Sequence, residues 1–244
     1  KTAKTRRHRE KRDAMKSRTN ISITLLGIIS MLLAFQWACK KESDPDDNNN
    51  DPGPVTGTVS DIDGNQYKTV NIGEQVWMAE DLKVTRYNDG APIINDTSGY
   101  YTPDSTKSTP LSSRGNKYYH VKGSNICPAG WHLPSKQEWR DLVGFVAHDN
   151  NGIHGGKEAT ALKATGGWIE NGNGTDDYGF TARANGVYIA KDTTVIHVGE
   201  AGYWLSSDVA YSGPWIRYIW HYNTTVNESI GSWKNGISIR CMKD

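Results

Sequence analysis

From Ile21 to Trp37 the chain reads ISITLLGIISMLLAFQW, without one charge, and this run confines the folded body to the residues after it. A membrane-spanning helix needs ~20 apolar residues. This run is shorter and is interrupted by Ser22, Thr24, Ser30 and Gln36. Lys16 and Arg18 stand before it and the small Ala38 after it. A basic flank, a short apolar centre and a small residue make a bacterial-type secretion signal, with a membrane helix as the alternative. Met15 is the expected start. The total charge of +1 conceals a segregation: the first twenty residues carry +7, residues 21–39 carry none, and the rest therefore carries −6. A nucleic-acid binder would need its basic patch in the folded part, so that class is excluded.

Cys39 comes directly after. The stretch LAFQWAC over 33–39 resembles the lipobox of bacterial lipoproteins, whose cysteine is acylated and becomes the mature N-terminus. Two or three acyl chains would anchor stably, because each buried CH₂ contributes ~0.8 kcal/mol and one chain alone is marginal. A free thiol is the alternative. Residues 40–54, KKESDPDDNNNDPGP, hold nothing that could form a core and read as a solvated tether. Such a tether reaches ~20 Å. Its Ser43-Asp44 and Asp46-Asp47 resemble the surface-export signals of Bacteroidetes lipoproteins, or else serve as a plain spacer. The expected location is the outer membrane, lipid-anchored through Cys39, on the cell surface or else on the periplasmic face.

The expected organisation is a leader over 1–38, a tether over 39–54 and one domain over 55–244. Nine Trp, twelve Tyr, three Phe and 25 Gly suit strands and turns better than a helical bundle. Asp63-Gly64 predicts a type I′ hairpin between strands at 55–60 and 66–72. The same Asp61-x-Asp63-Gly64-Asn65 run opens like a calcium loop, but Val70 stands where the closing acid belongs. Ser135 and Glu138 form a capping box, and Trp139, Leu142, Val143 and Val146 recur at helical spacing, predicting a helix with one buried face. A second, shorter helix is predicted over 157–164. Further strands are predicted at 179–183, 186–190, 203–206, 214–222 and 236–242. The predicted class is α+β.

Several motifs are familiar together: TVNIGEQVWMAEDLK at 69–83, YNDG at 87–90, NICPAGWHLPS at 125–135, GTDDYGF at 174–180, YWLSS at 203–207 and SIRC at 238–241. In order and spacing they resemble the Fibrobacter succinogenes major paralogous domain family over nearly all of 57–244. The resemblance implies secreted or lipid-anchored bacterial proteins, mostly without an assigned activity. More remotely, WHLPSKQEW at 131–139 is similar to the C-type-lectin-like and formylglycine-generating-enzyme folds. That implies twisted antiparallel sheets with two helices and long loops, and function does not follow from fold.

With Cys39 acylated, Cys127 and Cys241 remain, and one intramolecular pairing is possible. A structural disulfide is expected; the alternative is a reactive thiol of the formylglycine-generating kind. Asn173, Asp176 and Asp177 collect oxygens in one loop and are weak calcium candidates, although neighbouring carboxylates on an extended chain point apart. No other cofactor is expected, and the sugar-binding tripeptides of calcium-dependent lectins do not occur. Within 214–222 both strand faces carry apolar or aromatic residues. A central strand buried on both sides is expected; the alternative is a ligand platform made by Trp215, Tyr218 and Trp220. The seven His show no metal spacing, His148 and His154 being a weak zinc suggestion. No catalytic motif stands in a proper setting. The expected role is a binding or adhesion module for glycan or an envelope protein. The rivals are an envelope enzyme and a purely structural lipoprotein.

Overall fold

Two short hairpins begin the sheet on which the rest is built. In the computed structural model, strand β1 (Val55–Ser60) pairs with β2 (Gln66–Ile72), and β2 with β3 (Gln75–Met78), all antiparallel. The residues described are 55–93, 100–101, 117–118, 125–152 and 155–244, with side chains from 57 onward except those of 100–101 and 149–152. All fall in one unit, Asp51–Asp244. The leader, Cys39, the tether and His154 lie outside the described residues.

The first turn differs from the predicted type I′. Gly64 has φ +82°, whereas Asp63 has no positive φ, so only the glycine is left-handed. The Asp61 carboxylate directs the chain instead, accepting from the backbone N–H of Asp63 (2.9 Å) and Asn65 (3.0 Å) and from the Tyr67 hydroxyl (2.6 Å). Asp63 takes the Thr85 backbone N–H and the Arg86 guanidinium. Both carboxylates of the calcium-like run are thus committed to the turn. In the second hairpin Gly73 has φ +61°, and a Cβ there would lie 2.8 Å from the Phe145 ring. Glycine answers both the turn and the close helix.

Strands β4 (Tyr100–Tyr101), β5 (Lys117–Tyr118) and β6 (Trp131–His132) precede helix α1 (Lys136–Gly152) and the single-turn α2 (Glu158–Leu162). Then come β7 (Asn185–Ile189), β8 (Thr194–Val198), β9 (Ala201–Ala210), β10 (Gly213–Trp220), β11 (Asn227–Ile230), β12 (Asn235–Gly236) and β13 (Met242–Lys243). The sheets run β1-β2-β3-β13-β6, β11-β10-β9, β12-β7-β8 and β4-β5. Among the described residues every paired strand is antiparallel, and two helices complete an α+β fold. No helix among the described residues is long and apolar enough to cross a membrane.

The capping box forms as expected: Ser135 N–H donates to Glu138 Oε2 at 2.7 Å, and Glu138 N–H to Ser135 Oγ at 3.2 Å. Trp139, Leu142 and Val146 are buried, and Val143 turns half outward. Rings pack together within their core: Trp139 lies 4.7 Å from Trp77 and 6.3 Å from Trp204, and Phe180 stands edge-on to all three. A second core joins Tyr67, Met78 and Leu82 to Leu205, Ile216 and Ile239.

One predicted strand dissolves into a loop and another is broken into short pieces. Over 179–183 only Ala182 pairs, in a parallel bridge to Lys163. Asp176 (φ 53°), Gly179 (φ 63°) and Thr181 (φ 53°) are left-handed in and just before this stretch, and so many departures close together turn the chain away from extended pairing. Over 236–242 Gly236 belongs to β12 and Met242 to β13, and the chain between them threads between sheets. Its carbonyls are shared among Leu205 N–H (from Ser238), Leu82 N–H (from Ile239) and Met78 N–H (from Cys241). Cys127 and Cys241 are joined by a disulfide that closes a loop of sequence separation 114.

Candidate functional site

The strongest polar constellation lies in the middle of the fold. Asp81, just after β3, is buried and accepts from Trp204 Nε1 (2.9 Å), Asn185 Nδ2 (2.7 Å) and Arg240 Nη2 (2.8 Å). Arg240 also donates to the Phe180 carbonyl and lies 4.3 Å over the Phe180 ring. Burial pushes the Asp81 carboxyl up, but the charges of Arg240 and Lys117 and the bonds from Trp204 and Asn185 overcome it, so the net direction is down. Lys117, also buried, donates to Ser238 Oγ at 2.6 Å. The segments at 69–83, 174–180, 203–207 and 238–241 therefore meet at one ion pair. It is sealed from solvent and holds loops in place.

The aromatic strand turns out differently from the expected one. Strand β10 lies between β9 and β11, and Ile216, Arg217 and Ile219 are buried, whereas Trp215, Tyr218 and Trp220 are each half-buried. The bulge between Pro214 and Ile216 and the strand alternation divide the three. Trp215 sits apart, its ring 3.1 Å beneath the Lys136 ammonium. Tyr218 and Trp220 share the face that buries Ile216. Ile216 belongs to the second core with Val187, Leu205 and Ile237, and burial falls off two residues further on. There Tyr218 packs parallel to Tyr203 (6.0 Å) and Trp220 to Tyr222 (5.9 Å, 14° between planes), with His197 edge-on to Trp220. Tyr222 is 67 % exposed. The sequence pattern places Tyr203 only within a strand and Tyr222 at the end of one; the aromatic alternation 218/220/222 is the signal that points to the group. Burial, the neighbouring phenols and Glu200 push the Tyr203 hydroxyl up to about 12.

Lys163 holds the chain segment that carries Tyr222. Its Nζ donates to the carbonyls of His221 (2.8 Å) and Asn223 (2.8 Å) and lies 4.9 Å over Trp168. Burial lowers its pKa from 10.5 to about 8. The unfolded chain then keeps a proton between pH 8 and 10.5 that the folded chain has released, so stability rises with pH in that window. Expected is a gain of ~2 kcal/mol between about pH 8 and 10, read by urea unfolding and flattened in Lys163→Met. Above about pH 10 the raised Tyr203 opposes the trend. A wild-type profile no steeper than that of Lys163→Met would refute the assignment.

The calcium candidates are not gathered. Asn173 Oδ1 accepts from Trp168 N–H at 3.0 Å. Asp176 is turned inward, accepting from Thr181 N–H (2.6 Å) and Oγ1 (2.7 Å), while Asp177 is exposed. No cluster of three or more His, Cys, Asp or Glu in metal-holding range occurs among the described residues. His148 Nδ1 faces the Gly144 carbonyl of its own helix at 2.7 Å. His132, one of a scattered set in the sequence, lies between Asp244 (2.7 Å) and Glu138 (3.0 Å). No spacing rule brings Asp244 to it.

An antiparallel α+β domain with a buried acid–base centre, a buried disulfide and an aromatic outer face is the class of protein this defines. The family model of the Fibrobacter succinogenes major domain matches residues 70–243, and the chain belongs to that family. No curated protein and no solved structure matches it.

Proposed function

We propose that this protein is a lipid-anchored envelope protein, held in the outer membrane through acylated Cys39 and displaying its domain on the tether 40–54 as a binding or adhesion module for glycan. The observation that carries the binding half is the outer aromatic face. Tyr203, Tyr218, Trp220 and Tyr222 form one contiguous group, and the outermost ring is largely bare. Aromatic rings left partly open at the end of a rigid sheet offer wide contact area at little entropic cost and suit the apolar faces of sugar rings. The C-type-lectin-like arrangement implied by the WHLPSKQEW passage belongs to the same proposal. An envelope protein as the ligand is the second outcome of the same test. A thiol-dependent enzyme is less favoured, because Cys127 and Cys241 are 1 % and 0 % exposed and bonded to each other.

A glycan array probed with the mature domain, with and without chelator, tests the binding. Tyr222→Ala, an exposed change that leaves the core intact, is expected to weaken any hit about tenfold, equivalent to ~1.4 kcal/mol. Retention of full binding by Tyr222→Ala, or a silent array, would count against the aromatic face. The anchor is read by mass spectrometry of the native protein. A mature chain beginning at Cys39 with added acyl mass is expected, and one beginning upstream of Cys39 would refute it.

A further inference from the structure

The five-stranded sheet leaves a cleft of ≈ 450 Å³ on the face turned away from α1. Strand alternation explains where it lies. Trp77 and Met242 point to the helix side and join its core, so their neighbours Val76 and Lys243 point the other way. Lys243 is directly opposite Trp131 on β6, and Val76 opposite Asn71 on β2. On β1, Gly57 stands opposite Thr69, and the missing side chain at 57 leaves room. The volume lies within the ~300–1,000 Å³ of small-ligand sites.

The lining has one ring, apolar Val59 and Val76, a polar rim and one charge. No carboxylate lines it. Lys243 is exposed, and among the described residues its ammonium makes no ion pair. Asp244, the nearest acid in sequence, is taken by His132 on the opposite side of the strand. A ring wall beside a lone cation selects a ligand that is flat on one side and anionic at its edge. Asn71 is exposed at the rim, and a polar edge favours a hydroxylated ring over a purely apolar one.

We propose that this cleft is a second binding site, for a carboxylate-bearing sugar, with Trp131 against the ring and Lys243 on the carboxylate. It is distinct from the aromatic face and stands whether or not that face binds glycan. The probe is digalacturonic acid, with its methyl ester as the uncharged counterpart. Binding is followed by calorimetry and by amide chemical shifts of the mature domain.

The acid is expected to bind at least tenfold more tightly than the ester, and Lys243→Gln to remove that difference. Gly57→Tyr should plug the cleft and abolish binding. A Cβ at position 57 meets only Thr69 Oγ1, at the ordinary distance of 3.5 Å, so the strand accepts the change. Shifts should centre on residues 57–59, 131 and 243. Equal affinity for acid and ester, undiminished binding to the Gly57→Tyr chain, shifts confined to 218–222, or no binding of the acid at all would each overturn the proposal. If Gly57→Tyr fails to fold, the Lys243→Gln comparison decides alone.

Discussion

Asp81→Ala is expected to lose ~3–5 kcal/mol of stability, the cost of removing one partner from a buried ion pair. Domains of this kind are stable by only ~5–15 kcal/mol, so the variant should fold poorly or melt far below the parent. The loss has three parts. Arg240 and Lys117 would remain as buried cations with no carboxylate between them. Trp204 Nε1 and Asn185 Nδ2 would lose their acceptor. Arg240 would also be less firmly aimed at the Phe180 carbonyl. Asp81→Asn keeps an acceptor oxygen and should lose less, so the gap between the two variants separates hydrogen bonding from charge. Urea unfolding provides the measurement, and an Asp81→Ala loss under ~1 kcal/mol would refute the central role given to the pair. The acid limb carries the same logic. A carboxyl with a lowered folded pKa contributes stability that is complete above its unfolded pKa and is lost as pH falls through the folded one. For Asp81 that loss falls below pH 3.8, the ordinary value. Stability at about pH 4 should therefore still differ between the parent and Asp81→Ala.

How far the sequence reveals these features depends on how local each one is. The α1 start is legible because Ser135 and Glu138 satisfy each other within one turn, and its buried face because Trp139, Leu142 and Val146 repeat at the helical period. β1 and β2 are legible from alternation and a glycine turn, although the turn type is set by Asp61, whose reach to Tyr67 the dipeptide rule does not include. The ion pair joins residues 159 positions apart, and neither Asp81 nor Arg240 looks unlike a surface residue in its own segment. The loop at 176–181 resembles the approach to a strand because three left-handed residues, two of them not glycine, leave no mark in composition. For β10 the pattern is ambiguous in principle. Apolar residues on both faces say that both can be buried, but how far the second core extends along the strand decides that Ile216 is covered and Tyr218 and Trp220 come into view. The cleft beside Lys243 depends on β1, β2, β3, β6 and β13 meeting, and its one local hint is a glycine in a strand.

Loss of the Cys127–Cys241 bond is the second large effect. Closing a loop of 114 residues restricts the unfolded chain by an amount worth ~4–5 kcal/mol in the chain-entropy model. A Cys127→Ala/Cys241→Ala chain is expected to lose about that much, less whatever structure its unfolded state retains. The position adds a local consequence. Cys241 directly precedes β13, the short strand that joins β3 to β6, and its carbonyl receives the Met78 N–H at 3.1 Å. Without the bond, the first amides to exchange should be those of β13 and β6, with α1 protected longer. Both sulfurs are buried, so a reductant should act on the native protein only through global or sub-global opening. Thiol appearance under native conditions should therefore track unfolding and accelerate with urea. A structural staple predicts that either single alanine variant loses as much stability as the double. Rapid reduction of the folded protein with stability unchanged would instead point to an exchangeable bond, and the staple would have to be abandoned.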